Sequence, residues 1–218
     1  MPQITSIEPQ KKNPQRFNIF LDGKFAFGVK EIAVFEHNLK IGKNITEEDV
    51  TNILAKEEIG RLTDLAAHFL SYRPRSEKEV ADYLIKKISL RQKIKFHEAK
   101  ESLQIAIVIK KLKKYKYIND QQFAKWFIES RMRSKPKGKI ALRSELKAKG
   151  VEEDLIAKML EGAVNELELA QKAIQKKIKR WQNLSNLDLK KKVYMYLGAR
   201  GFSVEIIREI FANLPKKG

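Results

Sequence analysis

Few residues of this sequence could do chemistry, and their spacing argues against most of it. Ile41-Gly-Lys-Asn-Ile-Thr46 contains the Gly-Lys pair of a phosphate-cradling loop. It lacks the first glycine and the hydroxyl directly after the lysine, which such a loop uses to wrap phosphates and hold magnesium, so it reads as a turn beside a helix. His37, His68 and His97 have no second ligand at i+3 or i+4 that would place two donors on one helical face, and no metal site is predicted. There is no Cys, hence no disulfide framework and no thiolate ligand. Glu57-Glu58 and Glu152-Glu153-Asp154 are neighbouring carboxylates, but the second set opens a helix, where the dipole favours negative charge. No nucleophile, base and orienting group can be grouped, so the sequence predicts no enzyme, no catalytic residue and no cofactor.

Positive charge is what remains. Arg131, Arg133, Lys135, Lys137, Lys139, Arg143, Lys147 and Lys149 share a segment whose one acid is Glu145. Half of them fall on a loop between helices, where a phosphate backbone can approach. Arg73 and Arg75, beside Tyr72, fall on the matching loop earlier in the chain. A formal net charge of +18 over 218 residues points to a polyanionic partner, either nucleic acid or an acidic protein surface. The plainer alternative is a solvated Lys/Arg face, and the Lys110–Lys116 run also suits the negative end of a helix. Arg73, Arg75, Arg131, Arg133, Lys135, Lys137, Lys139 and Arg143 are therefore the candidate binding residues, expected to line one concave face. Replacing Arg131, Arg133, Lys135 and Lys137 by Ala should weaken binding and flatten its salt dependence by roughly 0.7 per lost single-strand phosphate contact. Aromatic residues could stack on bases, but Trp126, between Phe123 and Phe127, fits a helix core better, and the role of Trp181 after Lys179-Arg180 is open.

A repeated unit must position these loops. Leu146, Gly150, Val151, Leu155, Ile156, Met159 and Leu160 fall in register with Leu197, Gly201, Phe202, Ile206, Ile207, Ile210 and Phe211. Each copy is a helix ending at a Gly, which reaches positive φ without steric cost, then an apolar residue and a second helix. The i,i+4 pairs Val80/Leu84, Leu142/Leu146 and Val193/Leu197 occupy one position of successive units. Pro74 stops a helix, and Ser76 with Glu79 forms a capping box for the next; Pro136 and Gly138 repeat the phrase. Ser185 with Asp188 is a variant of that box. The helices of the first unit are expected over residues 61–69, 76–87 and a segment carrying Ile105, Val108, Ile109 and Leu112. Those of the second are expected over 120–131, 138–149 and 152–160, and those of the third over 166–181, 186–198 and 203–213. Residues 88–101, basic and polar, predict a longer turn or a helix extension. Leu214-Pro-Lys-Lys-Gly218 reads as a frayed tail.

Ahead of the repeats, Phe17, Ile19 and Leu21 alternate with other residues up to Asp22-Gly23, and alternation resumes at Phe25 and Phe27. Asp-Gly between alternating runs signals a β-hairpin, which must pack on something or gain a strand. A short helix over 30–37 should follow, ended by Gly42. A helix started by Thr46 and Asp49 should run towards Lys56 and continue, with a break, through Gly60. The fold class is mainly α, with three tandem three-helix repeats in an elongated array after a small N-terminal β-hairpin segment. Its divisions are 1–45, 46–118, 119–164 and 165–218. The N-terminus has no apolar stretch behind a basic lead, and Ile105-Ala-Ile-Val-Ile109 is far short of a membrane span, so a soluble cytoplasmic monomer is predicted.

Several phrases carry a family resemblance. Leu70-Ser-Tyr-Arg-Pro-Arg-Ser-Glu-Lys-Glu-Val80, Tyr117-Ile-Asn-Asp-Gln-Gln-Phe-Ala124, Leu146-Lys-Ala-Lys-Gly150 and Arg200-Gly-Phe202 resemble the RecX family of recombinase regulators. Phe20-Leu-Asp-Gly-Lys-Phe-Ala-Phe27 and Lys40-Ile-Gly-Lys-Asn-Ile-Thr46 are similar to members with an additional N-terminal β segment. The chain departs from the family at residues 88–101, which replace a tight Gly turn, and around Trp181. The resemblance implies a curved, elongated molecule without catalytic residues that binds along the groove of a RecA filament on single-stranded DNA. It further implies inhibition of RecA ATPase, strand exchange and co-protease activity, and so a place in homologous recombination, DNA repair and the SOS response. The alternative is a stand-alone helical-repeat protein that binds single- or double-stranded nucleic acid. Its Gly-turned helix pairs resemble helix-turn-helix units, but no polar base-reading helix face supports operator recognition.

Overall fold

The computed structural model describes residues 1–163 and 165–214. The predicted tail falls mostly outside them. The chain divides into two compact units, residues 1–69 with 83–115, and residues 70–82 with 116 onward.

The first unit opens with an antiparallel sheet of β1 (Ile4–Gln10), β2 (Asn13–Leu21) and β3 (Lys24–Lys30), in that order. The predicted hairpin is β2–β3, and Asp22 (φ 48°) and Gly23 (φ 78°) take the two positive-φ positions of its turn. The hairpin gains the strand that a lone hairpin needs, β1, which pairs antiparallel with β2. Beneath the sheet lie α1 (Glu31–Glu36) and the start of α2 (Glu47–Ser71). Ile4, Ile19, Phe27, Val29, Ala33, Leu39, Ile45 and Ile53 form their common core. Burying each large side chain of that set contributes roughly 1.5–3 kcal/mol, more than any turn preference. The Glu57 carboxylate fixes the joint, accepting from the Lys30 amide at 3.0 Å and pairing with Arg16 at 3.3 Å.

Helix α2 begins as predicted: Thr46 Oγ1 accepts from the Asp49 amide and the Asp49 carboxylate accepts from the Thr46 amide. The expected break near Gly60 is absent, and the helix runs unbroken for 25 residues. One glycine costs a helix only about 1 kcal/mol, and the Glu58–Arg61 ion pair spans it.

The first repeat uses the end of α2, then α3 (Glu77–Gln92) and α5 (Leu103–Lys114), with the short α4 (Phe96–Lys100) between them. The extra residues both lengthen a helix and add one. Lys93 (φ 56°) takes the left-handed position that ends α3, and the Ile94 amide donates to the Ser89 carbonyl. The second repeat is α6 (Asp120–Ser134), α7 (Lys139–Ala148) and α8 (Glu153–Ala163); the third is α9 (Glu166–Trp181), α10 (Asn186–Gly198) and α11 (Val204–Ala212). Val80, Leu84, Leu142, Leu146, Val193 and Leu197 are all fully buried, so the repeated i,i+4 pair is the core position of each unit. Gly150 (φ 81°) and Gly201 (φ 73°) end α7 and α10 identically. The amides of Val151 and Phe202 close the turns on the carbonyls of Leu146 and Leu197 at 3.1 and 3.2 Å.

Candidate nucleic-acid interface

Within the second unit, each cationic loop is held where the second helix of one repeat starts on the Gly turn of the next. Ser76 is fully buried. Its hydroxyl accepts from the Glu79 amide, capping α3, and donates to the Lys149 carbonyl at 2.7 Å. The Glu77 amide donates to Asp120, the first residue of α6, at 2.8 Å. The next joint repeats the scheme. The Gly138 amide donates to the Arg200 carbonyl at 3.0 Å. The Lys139 amide donates to Glu166, the first residue of α9, at 2.8 Å. In both joints a carboxylate meets orphan N–H groups at a helix N-terminus.

The candidate cations separate into two sets. Arg73 donates through both terminal nitrogens to Glu79, at 2.9 and 3.1 Å, and its guanidinium sits 5.0 Å from the Trp126 ring centre. Lys149 donates to the same carboxylate at 2.7 Å. The Glu79 amide thus makes the predicted capping bond to Ser76, while the Glu79 carboxylate holds these two cations. Burial pushes Glu79 up, but the Arg73 and Lys149 bonds outweigh it and hold the carboxyl below its ordinary value. Glu145 is held low in the same way by Lys137 and Arg131. Arg131 pairs with it at 2.7 Å and lies over Phe127, and Lys137 pairs from the loop. Arg143 and Lys147 share Glu153 at 3.0 and 3.8 Å. Burial and the adjacent Arg73 charge lower Arg75, which lines a recess with Tyr72 and Tyr117. Lys139 borders a different hollow, with Arg143 and Ile140.

Arg133 and Lys135 stand apart from those pairings. They line a cleft whose other walls carry Lys172, Lys176 and Lys177 of α9 and Arg200 at the end of α10. Tyr196 forms part of its wall: the Arg200 guanidinium is 3.8 Å from the ring centre, Lys177 is 5.7 Å away, and the phenol donates to the Ala173 carbonyl. Trp181 packs edge-on against Tyr196 at 5.6 Å, which gives that tryptophan a structural place. Trp126 is half-buried against the same core as Phe123 and Phe127. The cations of α9 and α10 were missed by sequence reasoning. Lys172 and Lys176 recur at i,i+4 on the polar side of α9, a legible signal, but only folding brings them opposite Arg133 and Lys135.

Among the described residues no group of His, Asp or Glu is arranged to hold a metal ion, and no helix is long and apolar enough to cross a membrane.

Comparison with known proteins accounts for the layout. The model of the regulatory protein RecX N-terminal domain matches residues 2–46, and those of the RecX first, second and third three-helix domains match 64–88, 119–160 and 165–211. The first three-helix match stops where α3 lengthens and α4 intervenes. A regulatory protein RecX of Bacillus pumilus is 38% identical over 95% of this chain and 75% of its own length. That of Bacillus subtilis is 39% identical over the same shares, and that of Listeria monocytogenes 34% over 94% and 73%. A crystal structure of regulatory protein RecX superposes with a TM-score of 0.72 at 26% identity, covering 98% of this chain and all of the other. The structure of RecX from Lactobacillus salivarius shares the fold, with a TM-score of 0.61 at 24% identity over 73% of this chain and 97% of that one.

Proposed function

The chain belongs to the RecX family of regulatory proteins, and we propose that it is a non-catalytic regulator that binds the RecA filament on single-stranded DNA. Binding modulates, and mostly inhibits, RecA ATPase, strand exchange and co-protease activity. The divisions 1–45, 46–118, 119–164 and 165–218 are its working parts, and it acts as a cytoplasmic monomer. Helical faces meet the recombinase, and basic loops meet DNA phosphates. The observation that carries this reading is the joint repeated between successive repeats, Ser76 on Lys149 and Gly138 on Arg200. A surface repeated along a chain suits a polymer of repeated protomers, because each further contact is made at high effective concentration. The net charge of +18 supplies the attraction to the nucleoprotein.

The test is RecA ATPase on single-stranded DNA with this protein added far below the RecA concentration. Inhibition at that ratio supports capping or groove binding of the filament. Inhibition that begins only when the added protein saturates the DNA rejects it in favour of a stand-alone nucleic-acid-binding protein.

A further inference from the structure

We propose that the cleft between the α6–α7 loop, α9 and the end of α10 binds the sugar-phosphate backbone of a single-stranded nucleic acid. This rests on the nucleic-acid part of the reading above and names where that contact is made. The other cationic clusters described above in this unit carry their own counter-charge: Glu79 for Arg73 and Lys149, Glu145 for Arg131 and Lys137, Glu153 for Arg143 and Lys147. The cleft breaks that pattern. Arg133, Lys135, Lys172, Lys176, Lys177 and Arg200 converge from separate segments, and no carboxylate lines the space between them.

Such an arrangement works against the fold. Like charges at i,i+4, as at Lys172 and Lys176, weaken a helix, and bringing further cations opposite adds repulsion. The acids of α9 sit in its first turn, where Glu166 already caps Lys139. An external anion is the missing counter-charge. Cation–π contacts with Tyr196 hold Arg200 and Lys177 against the wall before any ligand arrives, which lowers the ordering cost of binding. The cleft encloses about 280 Å³ and is concave. A flexible single strand can lower a phosphate and its sugar into it, whereas a rigid duplex reaches only the rim. Each cation that replaces a condensed counterion makes binding more salt-sensitive.

The experiment measures binding of a labelled single-stranded oligothymidylate by anisotropy across a salt series. It uses the full chain, the variant K172Q/K176Q and the charge-matched control K158Q/K191Q, whose lysines are exposed on α8 and on the side of α10 turned away from Tyr196. The lysines replaced are all solvent-exposed, and a thermal melt checks that folding is intact. K172Q/K176Q should bind about tenfold more weakly, with a salt slope shallower by about 1.4, two single-strand contacts at about 0.7 each. The control should keep most of its affinity and its slope. Equal losses in the two variants overturn the cleft and leave only diffuse attraction to net charge. A loss confined to a duplex competitor overturns the choice of a single strand. If the native chain inhibits RecA ATPase but binds no oligonucleotide, and K172Q/K176Q abolishes that inhibition, the occupant is an acidic protein surface and the cleft proposal falls while the regulatory reading stands. If the cleft variant loses oligonucleotide binding but the native chain leaves RecA ATPase untouched, the regulatory reading falls and the cleft stands.

Discussion

The Ser76 hydroxyl donates to the backbone carbonyl of Lys149, 73 residues away, at 2.7 Å. That one contact closes two helix ends. The same oxygen caps the N-terminus of α3, and the carbonyl it engages belongs to the turn that ends α7. The hydrogen-bonding needs of helix termini therefore become the adhesive between repeats. The following joint reaches the same end with backbone alone, from the Gly138 amide to the Arg200 carbonyl.

Replacing Ser76 by Ala removes both bonds at a fully buried position. Loss of an N-cap costs about 1 kcal/mol, and an orphaned buried carbonyl costs about 1–3 kcal/mol. The S76A variant should lose about 2–4 kcal/mol and melt roughly 5–15 °C lower. A change under about 1 °C in a calorimetric scan would remove Ser76 from the joint.

Two glycine substitutions should act in opposite directions. A Cβ on Gly138 would lie 2.2 Å from the Gly201 carbonyl oxygen, inside backbone that cannot swing away. Gly138→Ala should cost about 3 kcal/mol or more, in line with overpacking at a rigid contact. A Cβ on Gly60 meets nothing within 4 Å. Gly60→Ala should stabilise α2 by about 1 kcal/mol through helix propensity. Urea midpoints of the two variants that shift the same way would contradict this account.

These contrasts mark what could be read from the chain. The helix–Gly–helix repeat was legible because Gly150 and Gly201 serve a local backbone need and the apolar stripes follow the helical period. The hairpin was legible for the same local reason at Asp22-Gly23. Strand β1 was not, because a register shift between Ile4 and Ser6 breaks the alternation that identifies a strand. The end of α3 was hidden because Lys93 occupies a left-handed position usually given to Gly. The joints and the cleft were illegible in principle. Ser76 and Lys149, or Lys135 and Lys172, are matched by tertiary geometry and leave no periodic trace. The sequence therefore pointed to Arg131 and Lys137 as strongly as to Arg133 and Lys135.

The Glu79 and Glu145 ion pairs predict an acid limb in the stability curve. Burial raises each carboxyl, yet the paired cations win and hold both below the ordinary value of 4.5. The unfolded chain therefore binds protons at a higher pH than the folded chain does. The stabilisation is fully present above about pH 4.5 and is lost as pH falls through the folded values. Urea midpoints measured from pH 7 to pH 3 should drop steeply below pH 4.5. Glu79→Gln should lower the midpoint at pH 7 and flatten part of that drop. Parallel curves for the native and E79Q chains would show that Glu79 gains nothing from Arg73 and Lys149.

The last prediction divides the basic segment that drew attention first. Arg131 and Lys137 clasp Glu145, whereas Arg133 and Lys135 face the cleft with Lys172 and Arg200. Arg131→Ala with Lys137→Ala should therefore act on stability, lowering it by about 1–2 kcal/mol because both partners of a half-buried carboxylate are lost. Arg133→Ala with Lys135→Ala should leave the melting temperature within about 1 °C, since neither residue is buried. That second pair should instead make the salt slope of oligonucleotide binding shallower by about 1.4. Changing all four together should give the same 1.4 and not about 2.8, because the clasped pair contributes no phosphate contact. A slope change near 2.8 in the quadruple variant would mean that Arg131 and Lys137 leave Glu145 to meet the ligand, and the separation of structural from binding cations in this segment would fail.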